Sequence, residues 1–332
     1  MKTSLRVTLG IIMLGVVVYL LRGIDFLEVY SLLLQANNFY LFLAFLSFGF
    51  SIIFFNLRSV YSISSVAKTG FWFNLKCTLG GNFINVITPG AQIGGEPVRA
   101  YYLGKRYKKS VTKLFAAIIA DRVFHVTAIL FFILVSVLYM LTVIPISPEI
   151  KVVFQTAIFS IFFIFLLVLL INSDKTRNWV IKVIKKRGWV NSKKGGKFGK
   201  IKEVITKHSK EFLKIFLKTL KTKRIVIVGI TLSLINWILV CLSPYFLFIS
   251  FGIHVNFLIV MAIASLGSAV GDLSPTPGGL GLVEGSMIFM YSALGINFAA
   301  AFAVSILSRI ILYFFHLVLG GLSIIHLERN VG

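Results

Sequence analysis

Residues 39–57 contain no charged side chain, and neither do 152–172 or 225–251. Two longer stretches come close: 114–142 carries only Asp121, Arg122 and His125, and 298–327 only Arg309, His316 and His326. A bilayer core asks for about 20 mostly apolar residues per helix. At that depth backbone N–H and C=O groups must be satisfied inside a helix or a closed barrel. Mean hydropathy of +0.93, with 58% hydrophobic and 14% charged residues, excludes a water-soluble domain of this size. The expectation is an all-α polytopic membrane protein, with residues 1–332 forming a single membrane domain. Residues 7–21 are shorter and follow Lys2 and Arg6, as in a signal peptide. Leu20, Leu21 and Arg22 stand where a small-residue cleavage site would be, so a retained first helix is expected.

The formal charge of +23 would suggest nucleic acid in a soluble chain. Here most of it is concentrated in residues 173–224, with 18 Lys and Arg against 3 acids. Basic loops mark the cytoplasmic side, and this one has few aromatics to stack bases. It therefore reads as a cytoplasmic loop attracted to anionic headgroups, with no nucleic-acid partner expected. The termini fall on the same side, in the cell membrane. Residues 25–36 then lie outside as a surface helix, and the span at 39–57 delivers Arg58 and Lys68 to the cytosol.

Residues 74–97 break the pattern. The stretch is apolar but holds Gly80, Gly81, Gly90, Gly94 and Gly95, with Thr88-Pro89-Gly90 between them. A full crossing would put Arg99, Lys105, Arg106, Lys108, Lys109 and Lys113 outside, against the positive-inside tendency. A re-entrant hairpin entering from the cytosol removes that conflict. Residues 257–293 hold a second break, turning at Thr276-Pro277-Gly278-Gly279 and entering from outside. The halves 1–172 and 225–327 thus form an inverted-repeat, transporter-like bundle with two re-entrant broken-helix hairpins.

The two breaks match in detail. Glu96 follows Pro89 by seven residues, and Glu284 follows Pro277 by seven. Arg122 lies 26 residues past Glu96, and Arg309 lies 25 past Glu284. Proline ends one half-helix, glycine permits the turn, and the next half-helix begins with free N–H groups. Charges inside hydrocarbon pair with one another or line a pathway. Glu96 with Arg122 and Glu284 with Arg309 are candidate pairs, within a half or across halves, and Asp121 and Asp272 add acids nearby. One reading makes these pairs locks between hairpin and helix. The other has Arg122 and Arg309 hold a lipid phosphate, for which the guanidinium fork is suited, while the acids gate or carry a proton. The substrate path expected is Glu96, Arg99, Arg122, Asp272, Glu284 and Arg309.

Other residues carry weaker signals. His125 and His316 sit at unequal distances past Arg122 and Arg309, so neither follows the repeat as a proton relay would. Trp72, Trp179, Trp189 and Trp237 suit interfacial anchoring or packing. Cys77 and Cys241 belong to no paired or metal-ligand spacing, and no metal or cofactor is expected.

NFINVITPGAQIGGEPVRAYYL (residues 82–103) and SPTPGGLGLVEG (residues 274–285) resemble the lysylphosphatidylglycerol synthase transmembrane-region family of prokaryotic membrane proteins. That group includes the flippase half of multiple-peptide-resistance proteins, and the likeness covers most of the chain. It implies lipid translocation, with Glu96, Arg99, Arg122, Glu284 and Arg309 on the path. Members that make aminoacylated lipid carry a large soluble C-terminal domain. This sequence stops at Gly332, so synthesis is not expected and the chain is read as a non-enzyme.

The leading expectation is a flippase or transporter for a phospholipid or lipid-linked precursor. Its partners would be lipids with anionic or phosphate-bearing headgroups, and a homo-oligomer is compatible with it. A rival is a membrane glycosyltransferase or an accessory of lipid-linked glycan assembly, weakened because no Asp-x-Asp pair occurs among the acids. A third is an assembly partner without transport, which predicts that the hairpin charges tolerate neutral replacement.

Overall fold

The computed structural model describes residues 26–88, 94–143, 197–274 and 276–331. The expected spans at 7–21 and 152–172, the turn residues Pro89 and Gly90, and the basic segment 173–196 lie outside the described residues. Among the described residues the chain is helical and has no strand. A short α1 (Phe26–Gln35) precedes α2 (Asn38–Ile63), and α3 (Phe71–Ile87) and α4 (Gly95–Tyr107) flank the first break. Next come α5 (Val111–Val143), the basic α6 (Lys197–Lys221) and α7 (Lys223–Ser250). The second break separates α8 (Phe257–Leu273) from α9 (Leu282–Ala293), with a 3-10 turn at Pro277–Gly279. Finally α10 (Phe298–Tyr313) runs through a π-helical segment (Phe314–Leu319) into α11 (Gly320–Val331).

Four helices among the described residues are long and apolar enough to cross a membrane: Asn38–Ile63, Val111–Thr142, Lys223–Ser250 and Phe298–Val331. Their polarity is inverted relative to a soluble bundle. On α2, Phe42 and Phe50 are exposed while Ser47, Ser51, Arg58, Ser59 and Ser62 are buried. Lipid is as apolar as leucine, so small and polar residues rather than aliphatic ones bring helices together. The α2 and α7 helices pack antiparallel on this basis. Asn37 N donates to the Ser250 carbonyl at 2.8 Å at one end, and Asn236 Nδ2 to the Ser51 carbonyl at 2.8 Å midway. Asparagines start three helices: the side chains of Asn37, Asn256 and Asn297 accept from Phe39, Leu258 and Ala299 N–H, which satisfies donors that have no partner in the first turn.

Sequence reading delivered Arg58 to the cytosol as a topology charge, whereas in the structure the side chain is buried among the helices. Arg58 is 1% exposed, its Nε and Nη2 donating to Asp121 Oδ1 and Oδ2 at 2.9 and 3.2 Å. Its Nη1 reaches Ser233 Oγ at 3.1 Å, and Ser62 Oγ donates to Asp121 Oδ1 at 2.8 Å. The cause is that α2 continues to Ile63, six residues beyond the uncharged run, so Arg58 stays on the inner stripe with Ser51 and Ser62. This pair joins α2, α5 and α7.

Residues 26–35, before the first described span, form a helix as expected. In α1, Leu27, Tyr30 and Leu34 are exposed, and Glu28 accepts from Asn297 Nδ2 at 3.0 Å. At the basic end, α6 docks on α5 through Lys113–Glu211 (3.1 Å) and the Phe115–Phe212 ring contact. The hydrogen bond from Lys113 holds the Glu211 carboxyl below the usual carboxylate range.

Because breaking one partner of a buried pair leaves an uncompensated charge, Asp121→Ala is expected to destabilise the protein by about 3–5 kcal/mol. The apolar double replacement Arg58→Met with Asp121→Leu should recover most of that loss. Thermal unfolding in neutral detergent checks both, and a double variant no better than the single one contradicts this role.

Candidate functional site

Each break is a pair of antiparallel helical arms. In the first, the arms meet backbone to backbone: a Cβ on Gly95 would overlap Gly81, and Asn85 Oδ1 accepts from Gly95 N at 2.6 Å. The second turns through Gly278, Gly279 and Gly281, with φ of +58°, +74° and +81°, a region that favours glycine. Its arms close at Gly267, where an added Cβ would come within 2.9 Å of Met287. The second turn meets the end of α3, since a Cβ on Gly278 would lie 3.4 Å from Val86. Thr88 and Thr276 brace the turns: Thr88 Oγ1 donates to the Ile84 carbonyl and Thr276 Oγ1 to the Leu280 carbonyl.

Glu96 and Glu284 occupy equivalent places, each in the first turn of the returning helix. Of the arrangements open to the sequence, the structure takes pairing within each half. Arg122 on α5 donates to Glu96 Oε1, and Arg309 Nε on α10 lies 2.7 Å from Glu284 Oε1. The other oxygen of Glu284 accepts from Gly281 N at 2.7 Å, so that carboxylate also caps α9. Arg122 has a second acid at longer range, Asp272 Oδ1 at 3.8 Å on the last turn of α8. One guanidinium thereby connects the first hairpin to the second.

These groups surround a cavity of about 250 Å³ lined from α2, α3, α4, α5, α7, α8, α9 and α10. Glu96, Arg99, Arg122, Asp272 and Arg309 line it, whereas Glu284 stands behind Arg309. Pro244 also lines it; lacking an N–H, it cannot donate to the carbonyl of Val240, another lining residue. Several buried polar atoms on the wall have no hydrogen-bond partner among the described residues: Glu96 Oε2, Arg99 Nε, Arg309 Nη2, Ser243 Oγ and Ser305 Oγ. Such atoms are costly unless water or a ligand meets them.

Sequence reasoning missed several members of this wall. Arg58 was placed elsewhere, and Ser51, Asn82 and Asn85 were not singled out. The available signal was the polar stripe Ser47, Ser51, Arg58, Ser62 at four- and seven-residue spacing, which marks an inward face when the solvent is lipid. His316 lies in the π segment with Nε2 3.3 Å from Asn82 Nδ2, and His125 Nδ1 lies 3.5 Å from Arg58 Nη1. Both line the cavity at places unrelated by the repeat. Gly320, just after the π segment, packs on the Leu79 carbonyl, where a Cβ would come within 2.7 Å.

Arg122 holds Glu96 closely and Asp272 loosely, so the two acids should differ in weight. Glu96→Gln is expected to lower unfolding stability by at least ~1 kcal/mol more than Asp272→Asn, since a hydrogen bond between charged groups contributes about 1.5–3 kcal/mol. Thermal melts of the two variants in one detergent measure this, and equal losses would contradict the assigned geometry.

Comparison with known proteins agrees with the architecture. A UPF0104 membrane protein of Pyrococcus horikoshii is 28% identical over 337 residues, covering 98% of this chain and 97% of that protein. One from Methanocaldococcus jannaschii is 27% identical, covering 99% of this chain and 96% of that protein. A third, from Methanothermobacter thermautotrophicus, is 28% identical over 258 residues, with 76% of this chain and 75% of that protein covered. The family described as the lysylphosphatidylglycerol synthase TM region matches residues 5–320, nearly the whole length. The chain therefore belongs to the lysylphosphatidylglycerol synthase TM region family.

Proposed function

We propose that this protein is a transporter that moves a phospholipid or lipid-linked precursor between leaflets, and that it does so without making or breaking covalent bonds in it. The observation that carries the reading is the cavity: membrane-length helices enclose a charged, partly unsatisfied wall where two broken helix pairs meet. Ionisable groups at membrane depth are expensive and persist where they line a path for a polar cargo. Broken helices at that depth fit the same use, because freed backbone groups are tolerated beside a wet or protein-lined cavity. Membership of a family whose description names a lipid synthase's membrane region supports a lipid as the cargo.

In this reading the first hairpin enters from the cytoplasm and the second from outside, in an inverted repeat. The basic segment and both termini face the cytoplasm of a cell-membrane protein. Orientation is testable by itself. Single cysteines at Lys105 and Lys109, in a background lacking Cys77 and Cys241, should react with a membrane-impermeant maleimide only after the cytoplasmic face is opened. Labelling from outside in intact cells would reverse the first hairpin.

Transport is tested with purified protein in liposomes, following reporter lipids by bleaching of the outer leaflet. The wild type should accelerate crossing over empty vesicles. Glu284→Gln and Arg309→Ala should each slow it by about tenfold or more, the effect of losing one hydrogen bond to a charged group. Crossing no faster than in empty vesicles across a broad lipid panel defeats the proposal, and fast crossing unchanged in both variants removes these residues from the path.

A further inference from the structure

Four arginines line the cavity, and they are not equivalent. Arg58 is matched by Asp121, Arg122 by Glu96 with Asp272 beyond it, and Arg309 by Glu284. Arg99 makes no ion pair with any carboxylate among the described residues. It is 4% exposed; Nη2 donates to Ser59 Oγ at 2.6 Å, and Nε has no hydrogen-bond partner among the described residues.

The seat of this side chain is built closely. A Cβ on Gly81 would come within 2.6 and 2.7 Å of Arg99 Cγ and Cδ, so the stem passes where only glycine leaves room. The Phe55 ring lies 5.7 Å from the Arg99 guanidinium and 4.5 Å from that of Arg58, whose charge Asp121 already balances. Glu96, one turn earlier on α4, is held by Arg122. What remains is a cation withdrawn from water and fixed at a cavity wall, with an unfilled N–H; the nearest acids, Asp121 and Glu96, act on it only from beyond ion-pair distance and are already engaged by Arg58 and Arg122. That state is costly in a low-dielectric interior unless an anion arrives from the cavity. A guanidinium offers two parallel donors, which match two oxygens of one oxyanion.

We propose that Arg99 is the anchor for a phosphate-type oxyanion entering this cavity, either the phosphate of a lipid headgroup or a free phosphate ion. Arg122, which the sequence put forward for that task, instead clamps the two hairpins together through Glu96 and Asp272. The inference deepens the transport reading and rests on it only for a lipid source of the phosphate.

The test is binding by the full chain in phosphate-free neutral detergent, measured by titration calorimetry. The probes are dioctanoyl-phosphatidylglycerol, inorganic phosphate, and dioctanoylglycerol as the phosphate-free control. Wild type should bind at least one phosphate probe and should prefer the phospholipid to dioctanoylglycerol if the lipid is the source. Arg99→Gln should weaken phosphate binding by about tenfold or more, and Arg99→Lys, which keeps the charge but not the fork, by less. Preference for the phospholipid assigns a headgroup, and equal or tighter binding of inorganic phosphate assigns the free ion; both support the anchor. Failure to bind either phosphate probe overturns it, as does wild-type affinity in Arg99→Gln, or in Arg99→Lys if the glutamine variant does not fold. Since binding is read without vesicles, Arg99-dependent binding with no acceleration of lipid crossing defeats the transport reading alone. Acceleration with Arg99-independent binding defeats this proposal alone.

Discussion

A guanidinium and a carboxylate that leave water together must stay together, and much of this structure can be understood from that requirement. In hydrocarbon neither ion has solvent to fall back on, so each pair fixes the helices that carry its members. Arg58 with Asp121 joins α2, α5 and α7. Arg122 with Glu96 ties α5 to the returning arm of the first hairpin, and Arg309 with Glu284 ties α10 to that of the second. Aliphatic packing then fills the space between these fixed points, as around Phe248, Ile263 and Tyr291 or around Ile133, Trp237 and Met261.

The pairs differ in how completely they are satisfied. Arg58 and Asp121 exchange two hydrogen bonds and gather Ser62 and Ser233 around them, the pattern of a lock. Around Glu96, Arg99 and Arg309 atoms on the cavity side have no hydrogen-bond partner among the described residues. A satisfied network holds a shape; an unsatisfied one facing a cavity is a place for something to bind.

The four long spans among the described residues were legible because length without charge is unambiguous in a membrane protein. The repeated Thr-Pro-Gly with Glu seven residues on, and Arg some 25 beyond, was legible because prolines and acids are scarce here, so a coincidence of spacing stands out. Arg58 was misread for the same reason that made the spans easy. Positive charge after an apolar run ordinarily means the membrane surface, and nothing local reveals that Asp121, 63 residues away, is waiting for it. Which carboxylate stands beside Arg122 and which beside Arg309 was likewise out of reach. That is settled by tertiary packing.

The contact between Gly81 and Gly95 limits how the first hairpin can change shape. Two backbones that touch without side chains between them have no slack for one arm to slide along the other, so the arms travel as a stiff wedge. Flexing is then left to the ends of the wedge, where Lys108 adopts a left-handed conformation between α4 and α5. Any rearrangement that pivoted there would push Val86, at the end of α3, directly against Gly278 of the other hairpin.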